Sequence, residues 1–223
     1  MDTEQTLREH ALKEKAVMTF FKEAVKEVQA AFAEGSDRFV GVRMQMIAAF
    51  TFFEVLSNFW ECYINRHRGP NERLTDWFKT FCETNNNETY KTNAYFKNLG
   101  VEPILDLRHS MVHFFGLSPQ RPDKQIALGS SHMDKETFEK YEKGFKGDVA
   151  VFKPTQFYEL FQKGGLLMIE KMLDNIHSSN KDENKKWEHI EGINRIFEKF
   201  KSEGAMQIVI PKSQNPQVHA DNS

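Results

Sequence analysis

Residues 37–66 read DRFVGVRMQMIAAFTFFEVLSNFWECYINR, and this stretch decides the fold. Its apolar side chains recur at helical spacing and leave little polar surface, which predicts one long helix. A helix that is apolar on most sides lies in the middle of a bundle or is covered by a second subunit. One polar stripe remains on it, formed by Thr51, Glu54, Asn58, Glu61 and Asn65. This stripe predicts either a solvated, hydrogen-bonded face, or an acid, Glu54 or Glu61, that faces a charged group on a neighbouring helix.

The rest of the chain is predicted to be mainly α-helical, a bundle of about five to six helices with a small β element inserted after residue 116. The predicted helices cover residues 2–34, 72–84, 102–116, 155–177 and 182–203, with a weaker segment at 90–98. Two short strands, 125–128 and 149–152, flank a helix over 134–143 and are expected to pair as a small ribbon. Gly164 and Gly165, inside one predicted helix, indicate a kink or a close helix contact.

We expect one helical domain over residues 1–203, with an insert at about 117–154. Residues 204–223 are expected to add a third strand at 208–210 and a disordered tail from 211 onward.

The composition excludes several classes of protein. The chain has 223 residues, and its 20 phenylalanines exclude a disordered chain. No apolar run reaches the roughly 18 uncharged residues that a membrane-spanning helix needs, and no signal peptide is predicted. Cys62 and Cys82 are too few for a disulfide scaffold, so we expect a cytoplasmic protein without membrane contact. The formal charge of −2 excludes a polycation that coats nucleic acid, so an RNA contact needs a local site.

Familiar catalytic and metal-binding signatures are missing from the sequence. It has no glycine-rich phosphate loop and no Cys-x-x-Cys pair. His109 and His113 are one helical turn apart, but Ser110 stands where a zinc protease needs its catalytic Glu. Because a metal site needs three or four ligands and the spacing suggests no third, we predict neither a metal nor another cofactor.

The informative segment is LRHSMVHFF at residues 107–115. Asp106, His109, Ser110 and His113 fall along one stripe of the predicted helix. Arg108 lies five residues before His113, about 140° around an ideal helix, so only its long side chain could bring the two together. The simplest interpretation is a helix whose polar face carries one Arg and two His.

The pattern Arg108-His109-x-x-x-His113, late in a helical bundle, resembles the signature of the HEPN superfamily, which is Arg, then Asn, Asp or His, three variable residues and His. The preceding apolar helix with an embedded acid, Glu54, is also similar to the family's pattern. The insert at 117–154 and the tail from 204 depart from it.

The resemblance implies a metal-independent endoribonuclease in which two motifs meet across a homodimer and form one composite site. Arg108 would then hold the scissile phosphate, and His113 would be the general acid or base. His109 occupies the position that orients this pair, and Glu54 and Ser110 are supporting candidates. The expected product end is a 2′,3′-cyclic phosphate. Active members of the family are commonly toxins held by an antitoxin, or belong to antiphage defence.

These roles fit the chemistry of the side chains. The guanidinium of Arg is a planar fork that matches a phosphate and is always charged. The imidazole of His titrates near neutrality and can take a proton from a ribose 2′-hydroxyl or return one to the leaving oxygen. The apolar helix at 37–66 offers surface for a two-fold interface between copies of the chain.

Two alternatives remain open. The first is a HEPN-like module that binds nucleotide or RNA without cleaving it, for which Arg66, Arg68 and Arg73, with nearby Trp77, offer a basic loop that carries an aromatic ring. A solvated loop is the simpler interpretation of these residues. The second is a protein-interaction role, as one half of a two-component system controlled by a partner.

Overall fold

The apolar stretch forms one continuous helix, Phe39–Tyr63, in the computed structural model of the chain. The structure describes residues 3–33, 39–114, 125–131, 133–145, 149–177 and 183–204. In these residues the fold is mainly α-helical with one small sheet, as the sequence predicts. The elements in chain order are α1 (Thr3–Ala33), α2 (Phe39–Tyr63), α3 (Pro70–Trp77), α4 (Glu88–Thr92), α5 (Ala94–Leu99), α6 (Val101–Phe114), β1 (Gln125–Leu128), α7 (Lys135–Lys143), β2 (Val149–Phe152), α8 (Pro154–His177) and α9 (Glu183–Ser202).

The helix α2 is the centre of the bundle. It packs against α1, α3, α6, α8 and α9, and Phe50, Phe53 and Leu56 on it are fully buried. The ring of Phe53 stacks on that of Phe161 from α8, with centroids 4.5 Å apart. The chain's own helices therefore cover the apolar surface of α2. Of the two alternatives for this apolar helix, the described residues thus show the first, a place in the middle of the bundle, although Met44 near its beginning is exposed.

The long helix α1 lies along α9 and α2. Its apolar face buries Val17 and Phe21, and Phe20 packs edge-on against Phe59 of α2 and beside Phe200 of α9. Most of its other described side chains are charged or polar and at least partly exposed. Few buried side chains therefore hold α1 against the bundle. Its position depends on its contacts with α9 as well as on those with α2.

The glycine pair in α8 marks a close helix contact, one of the two possibilities that the sequence left open. A Cβ atom on Gly164 would lie 2.8 Å from the Trp77 ring and 3.0 Å from Cys82 Sγ. A Cβ atom on Gly165 would lie 3.1 Å from Leu56 of α2. The missing side chains let α8 approach α2 and the segment after α3.

The inserted β element is present with the predicted boundaries. β1 and β2 pair in parallel, with Gln125 opposite Val149, and α7 forms the crossover between them. Asp134 caps α7, because its carboxylate accepts a hydrogen bond from the Thr137 amide at 2.9 Å. Phe152 of β2 stacks on Phe96 of α5, which ties the ribbon to the helical core.

Two segments differ from the prediction. The helix expected at 72–84 begins at Pro70 and continues beyond Trp77 as a π-helical segment, Phe78–Cys82. The segment expected at 90–98 is two short helices, because the Asn93 side chain accepts hydrogen bonds from the Tyr95 and Phe96 amides and starts a new helix.

The third strand at 208–210 and the tail from 211 lie outside the described residues. Within the residues that the structure describes, no helix is both long enough and apolar enough to cross a membrane. Cys62 and Cys82 are free thiols, and burial raises the pKa of Cys82 well above its ordinary value.

Candidate functional site

The candidate site lies where α6 crosses α2, and its centre is an ion pair. Arg108 Nε donates a hydrogen bond to Glu54 Oε1 at 2.6 Å, and Arg108 Nη2 donates to the same oxygen. The side chain of Arg108 is 12% exposed and that of Glu54 is 30% exposed. Of the two alternatives for the polar stripe of α2, the structure therefore shows the second for Glu54, which faces a charged group on a neighbouring helix, Arg108.

The local sequence of α6 explains the position of Arg108. Gly100, with φ of +71°, ends α5, and Pro103 lies in the first turn of α6. The buried side chains of α6 recur at helical spacing, at Ile104, Leu107 and Met111. Arg108 follows Leu107 at the edge of this buried face, so its stem packs in the seam and its guanidinium reaches Glu54.

The other motif residues of α6 do not share one face. His109 is exposed, whereas Ser110 is buried in the bundle. The expected polar stripe along α6 is divided for this reason, and Ser110 belongs to the packed side of the helix. The backbone of His113 lies in α6, five residues after Arg108, and its side chain lies outside the described residues.

The basic residues after α2 have different environments. Arg66 is exposed. Arg68 is held in place, since its Nε donates to Glu61 at 2.8 Å and its Nη2 donates to Asp76 at 2.8 Å. The hydrogen bond from Arg68 lowers the pKa of Asp76. Arg73 is partly buried, and its Nε donates to Ser57 Oγ at 3.3 Å.

The aromatic ring predicted for this basic loop is not available to a ligand. Trp77 has no exposed surface, and its indole N–H donates to Met168 Sδ at 3.2 Å. The binding alternative therefore loses the aromatic ring that it placed beside Arg66, Arg68 and Arg73, because the Trp77 ring lies in the hydrophobic core.

The structure also gathers a cluster that the sequence analysis missed. One ring nitrogen of His10, one of His189 and one carboxylate oxygen of Glu14 lie within 4.8 Å of one another, between α1 and α9. Burial lowers the pKa of His189 to about 4, and burial also lowers the pKa of His10. His10 and Glu14 are one helical turn apart, which is a detectable pair, but His189 follows much later in the chain and only the fold reveals it.

Comparison of the chain with protein-family models, with curated proteins and with solved structures gives no match. The class of protein that the described residues define is a mainly α-helical bundle with a small parallel ribbon and a Glu54–Arg108 pair between two of its helices. A function for the chain therefore depends on the chemistry of its residues and on their geometry.

Proposed function

We propose that this protein is a metal-independent endoribonuclease of the HEPN type, which cleaves RNA through attack of the ribose 2′-hydroxyl. The observation that carries the proposal is the pairing of Arg108 with Glu54 across the α2–α6 seam. Arg108 has its stem in the seam, and Glu54 holds its guanidinium at a defined place within the motif that resembles the HEPN signature.

Arg108 is proposed to bind the scissile phosphate. A guanidinium carries five N–H donors, and Glu54 engages donors on two of its three nitrogens. The remaining N–H groups can donate hydrogen bonds to phosphate oxygens while Glu54 fixes the orientation of the guanidinium. The positive charge of Arg108 would then oppose the negative charge that develops on phosphorus-bound oxygens in the transition state.

His113 is proposed to transfer the protons. As the base, it removes the proton of the 2′-hydroxyl, whose oxygen attacks phosphorus and forms the new P–O2′ bond. The P–O5′ bond breaks, and a protonated imidazole gives its proton to the leaving O5′. The products are a 2′,3′-cyclic phosphate and a 5′-hydroxyl, so atoms and charge balance without a metal. The Arg108 that faces each His113 is proposed to come from a second copy of the chain, and His109 is proposed to orient the pair.

The test is cleavage of a fluorescent single-stranded RNA, and of a structured RNA, in EDTA. We expect the wild type to produce 2′,3′-cyclic phosphate ends and to leave a 2′-O-methylated RNA intact. Arg108→Ala and His113→Ala should each lower the rate by about 100-fold or more. Arg8→Ala is the matched control, because Arg8 is an exposed arginine on α1. Undiminished cleavage by Arg108→Ala or His113→Ala would refute the site.

A second candidate function is RNA or nucleotide binding without cleavage. The same geometry supports it, because the guanidinium donors of Arg108 that Glu54 does not engage can bind a phosphate without any proton transfer. Retained binding of RNA by the wild type, with no cleavage under any condition, would favour this module over the nuclease.

The proposed biological setting is a toxin–antitoxin pair or antiphage defence, with a protein partner that restrains the nuclease. Expression of the wild type should then arrest growth, and expression of His113→Ala should not. Equal growth of both strains at matched protein levels would count against a toxin.

A further inference from the structure

We propose that His10, Glu14 and His189 form a binding site for a divalent transition metal such as Zn²⁺, which links α1 to α9. This site is separate from the proposed nuclease site. Glu54 and Tyr63 are nine residues apart on α2, about 14 Å along the helix axis, and Tyr63 is the α2 residue that contacts His189. The two proposals can therefore fail independently.

The first argument is the convergence of three suitable donors. One atom from each of the three side chains lies within 4.8 Å of the other two. Ligand atoms around a tetrahedral Zn²⁺ at about 2.0–2.1 Å are about 3.3 Å apart, so small side-chain rotations would complete the site. His10 and Glu14 are at positions i and i+4 of α1 and share one face of that helix.

The second argument is the unsatisfied ring nitrogen of His189. This side chain is 2% exposed, and its Nδ1 lies 3.1 Å from the hydroxyl of Tyr63. The Tyr63 hydroxyl can donate to the Met172 carbonyl oxygen at 3.5 Å and accept from His189 Nδ1–H. In that tautomer Nε2 holds a lone pair, and Nε2 is buried without a hydrogen-bond partner. An unpaired buried acceptor is costly, and a metal ion would satisfy it.

The third argument is that His10 has the same feature. Its Nδ1 is also buried and has no hydrogen-bond partner. Its Nε2 is 3.6 Å from Glu14 Oε2, which is too long for a hydrogen bond. The two imidazole rings meet edge to face with centroids 6.0 Å apart. His10 and Glu14 thus form a loose ion pair beside His189, and each of the two histidines keeps one buried ring nitrogen without a hydrogen-bond partner.

The donor chemistry selects the kind of metal. Two imidazoles and one carboxylate suit Zn²⁺ and related transition metals, whereas Mg²⁺ and Ca²⁺ prefer oxygen ligands alone. Lys13, which lies on the same helix, does not compete for Glu14, because its ammonium group pairs with Glu9 at 2.9 Å and Glu198 at 3.4 Å. The contact between Tyr63 and His189 matches the outer hydrogen bond that orients metal-binding histidines.

The experiment measures Zn²⁺ binding to the untagged full chain after removal of metal with a chelator and dialysis. Competition with a chromophoric Zn²⁺ indicator should show one equivalent bound per chain, and saturation should raise the melting temperature. His10→Ala and Glu14→Gln should each weaken binding at least about tenfold, and Tyr63→Phe should weaken it by about 10- to 100-fold.

Two variants serve as matched controls. His67→Ala removes an exposed histidine, and Glu23→Gln removes an exposed glutamate from the same helix as Glu14. Both should bind Zn²⁺ like the wild type. Circular dichroism should show that all variants remain folded, and Co²⁺ in place of Zn²⁺ should give visible absorption bands that His10→Ala alters. The absence of saturable binding by the wild type, or equal binding by the wild type, His10→Ala and Glu14→Gln, would overturn the proposal.

Discussion

The ion pair of Glu54 and Arg108 is the residue-scale feature on which the proposed function depends. Two charges in a half-buried seam lose part of their hydration, and only well-formed hydrogen bonds offset that loss. The pair has such bonds, since two guanidinium nitrogens donate to one carboxylate oxygen. We therefore expect the pair to be coupled in stability as well as in position.

A double-mutant cycle with Glu54→Gln and Arg108→Met tests this coupling. We expect a coupling energy of about 1–2 kcal/mol from urea unfolding, because each partner alone leaves a poorly hydrated polar group behind. The control is the surface pair of Glu23 and Lys26, with an expected coupling below about 0.5 kcal/mol. Equal coupling energies for the two pairs would contradict the account.

The pH dependence of stability follows from His189. Its pKa in the folded protein, about 4, lies below the ordinary value of 6.5, and burial is the main cause. Between those two values the unfolded chain binds the proton more readily, so the contribution of His189 is complete above pH 6.5 and falls as the pH drops toward 4. The loss amounts to about 3 kcal/mol at most.

The measurement is urea unfolding of metal-free protein from pH 7.5 to 4.5. His189→Gln should show a smaller decrease of the free energy of unfolding over this range than the wild type. Identical decreases in the two proteins would show that His189 does not titrate as its burial implies.

At the scale of the elements, the contact of α8 with the segment after α3 depends on Gly164. In Gly164→Ala the new methyl group would meet Trp77 at 2.8 Å and Cys82 at 3.0 Å. Overpacking costs about 1–3 kcal/mol, while the better helix propensity of Ala returns up to about 1 kcal/mol. We expect a net loss of about 1–2 kcal/mol in the free energy of unfolding.

Gly69→Ala is the control for this substitution. A Cβ atom at Gly69 meets nothing within 4 Å, and its φ of −62° suits alanine. We expect a change within about 0.5 kcal/mol. If chemical denaturation shows Gly164→Ala to be as stable as Gly69→Ala, the close contact of α8 is not as described.

Most elements could be predicted from local patterns, and the exceptions have local causes. The strands at 125–128 and 149–152 have the bounds that the sequence predicts. Short, mostly apolar runs there flank a helical segment that begins at a capping residue, Asp134. The break at Asn93 was not predicted, since a single side chain that caps a helix outweighs a weak periodicity there. The π-helical segment after Trp77 has no signal in the residue pattern.

At the scale of the whole molecule, contacts between residues that are distant in the chain cannot be predicted from the sequence pattern. The stripe on α2 left open whether Glu54 or Glu61 meets a charge, and it gave no sign that Arg108 is the partner of Glu54. His189 joins His10 and Glu14 only because α9 returns along α1. An apolar helix inside a bundle and one at a subunit interface have the same composition, so the sequence left both places open for α2 and the contacts of the fold decide for the bundle.

The most direct test of the proposed composite nuclease site is the rate of RNA cleavage by mixed variants in EDTA. The rate is measured at a temperature at which circular dichroism shows that the proteins are folded. Arg108→Ala and His113→Ala should each be nearly inactive alone. If two copies of the chain share one composite site, a refolded equimolar mixture should recover part of the wild-type rate, since one copy supplies Arg108 and the other supplies His113. The account would be contradicted by a wild type that does not cleave RNA, by single variants that cleave as fast as the wild type, or by a mixture no faster than its components.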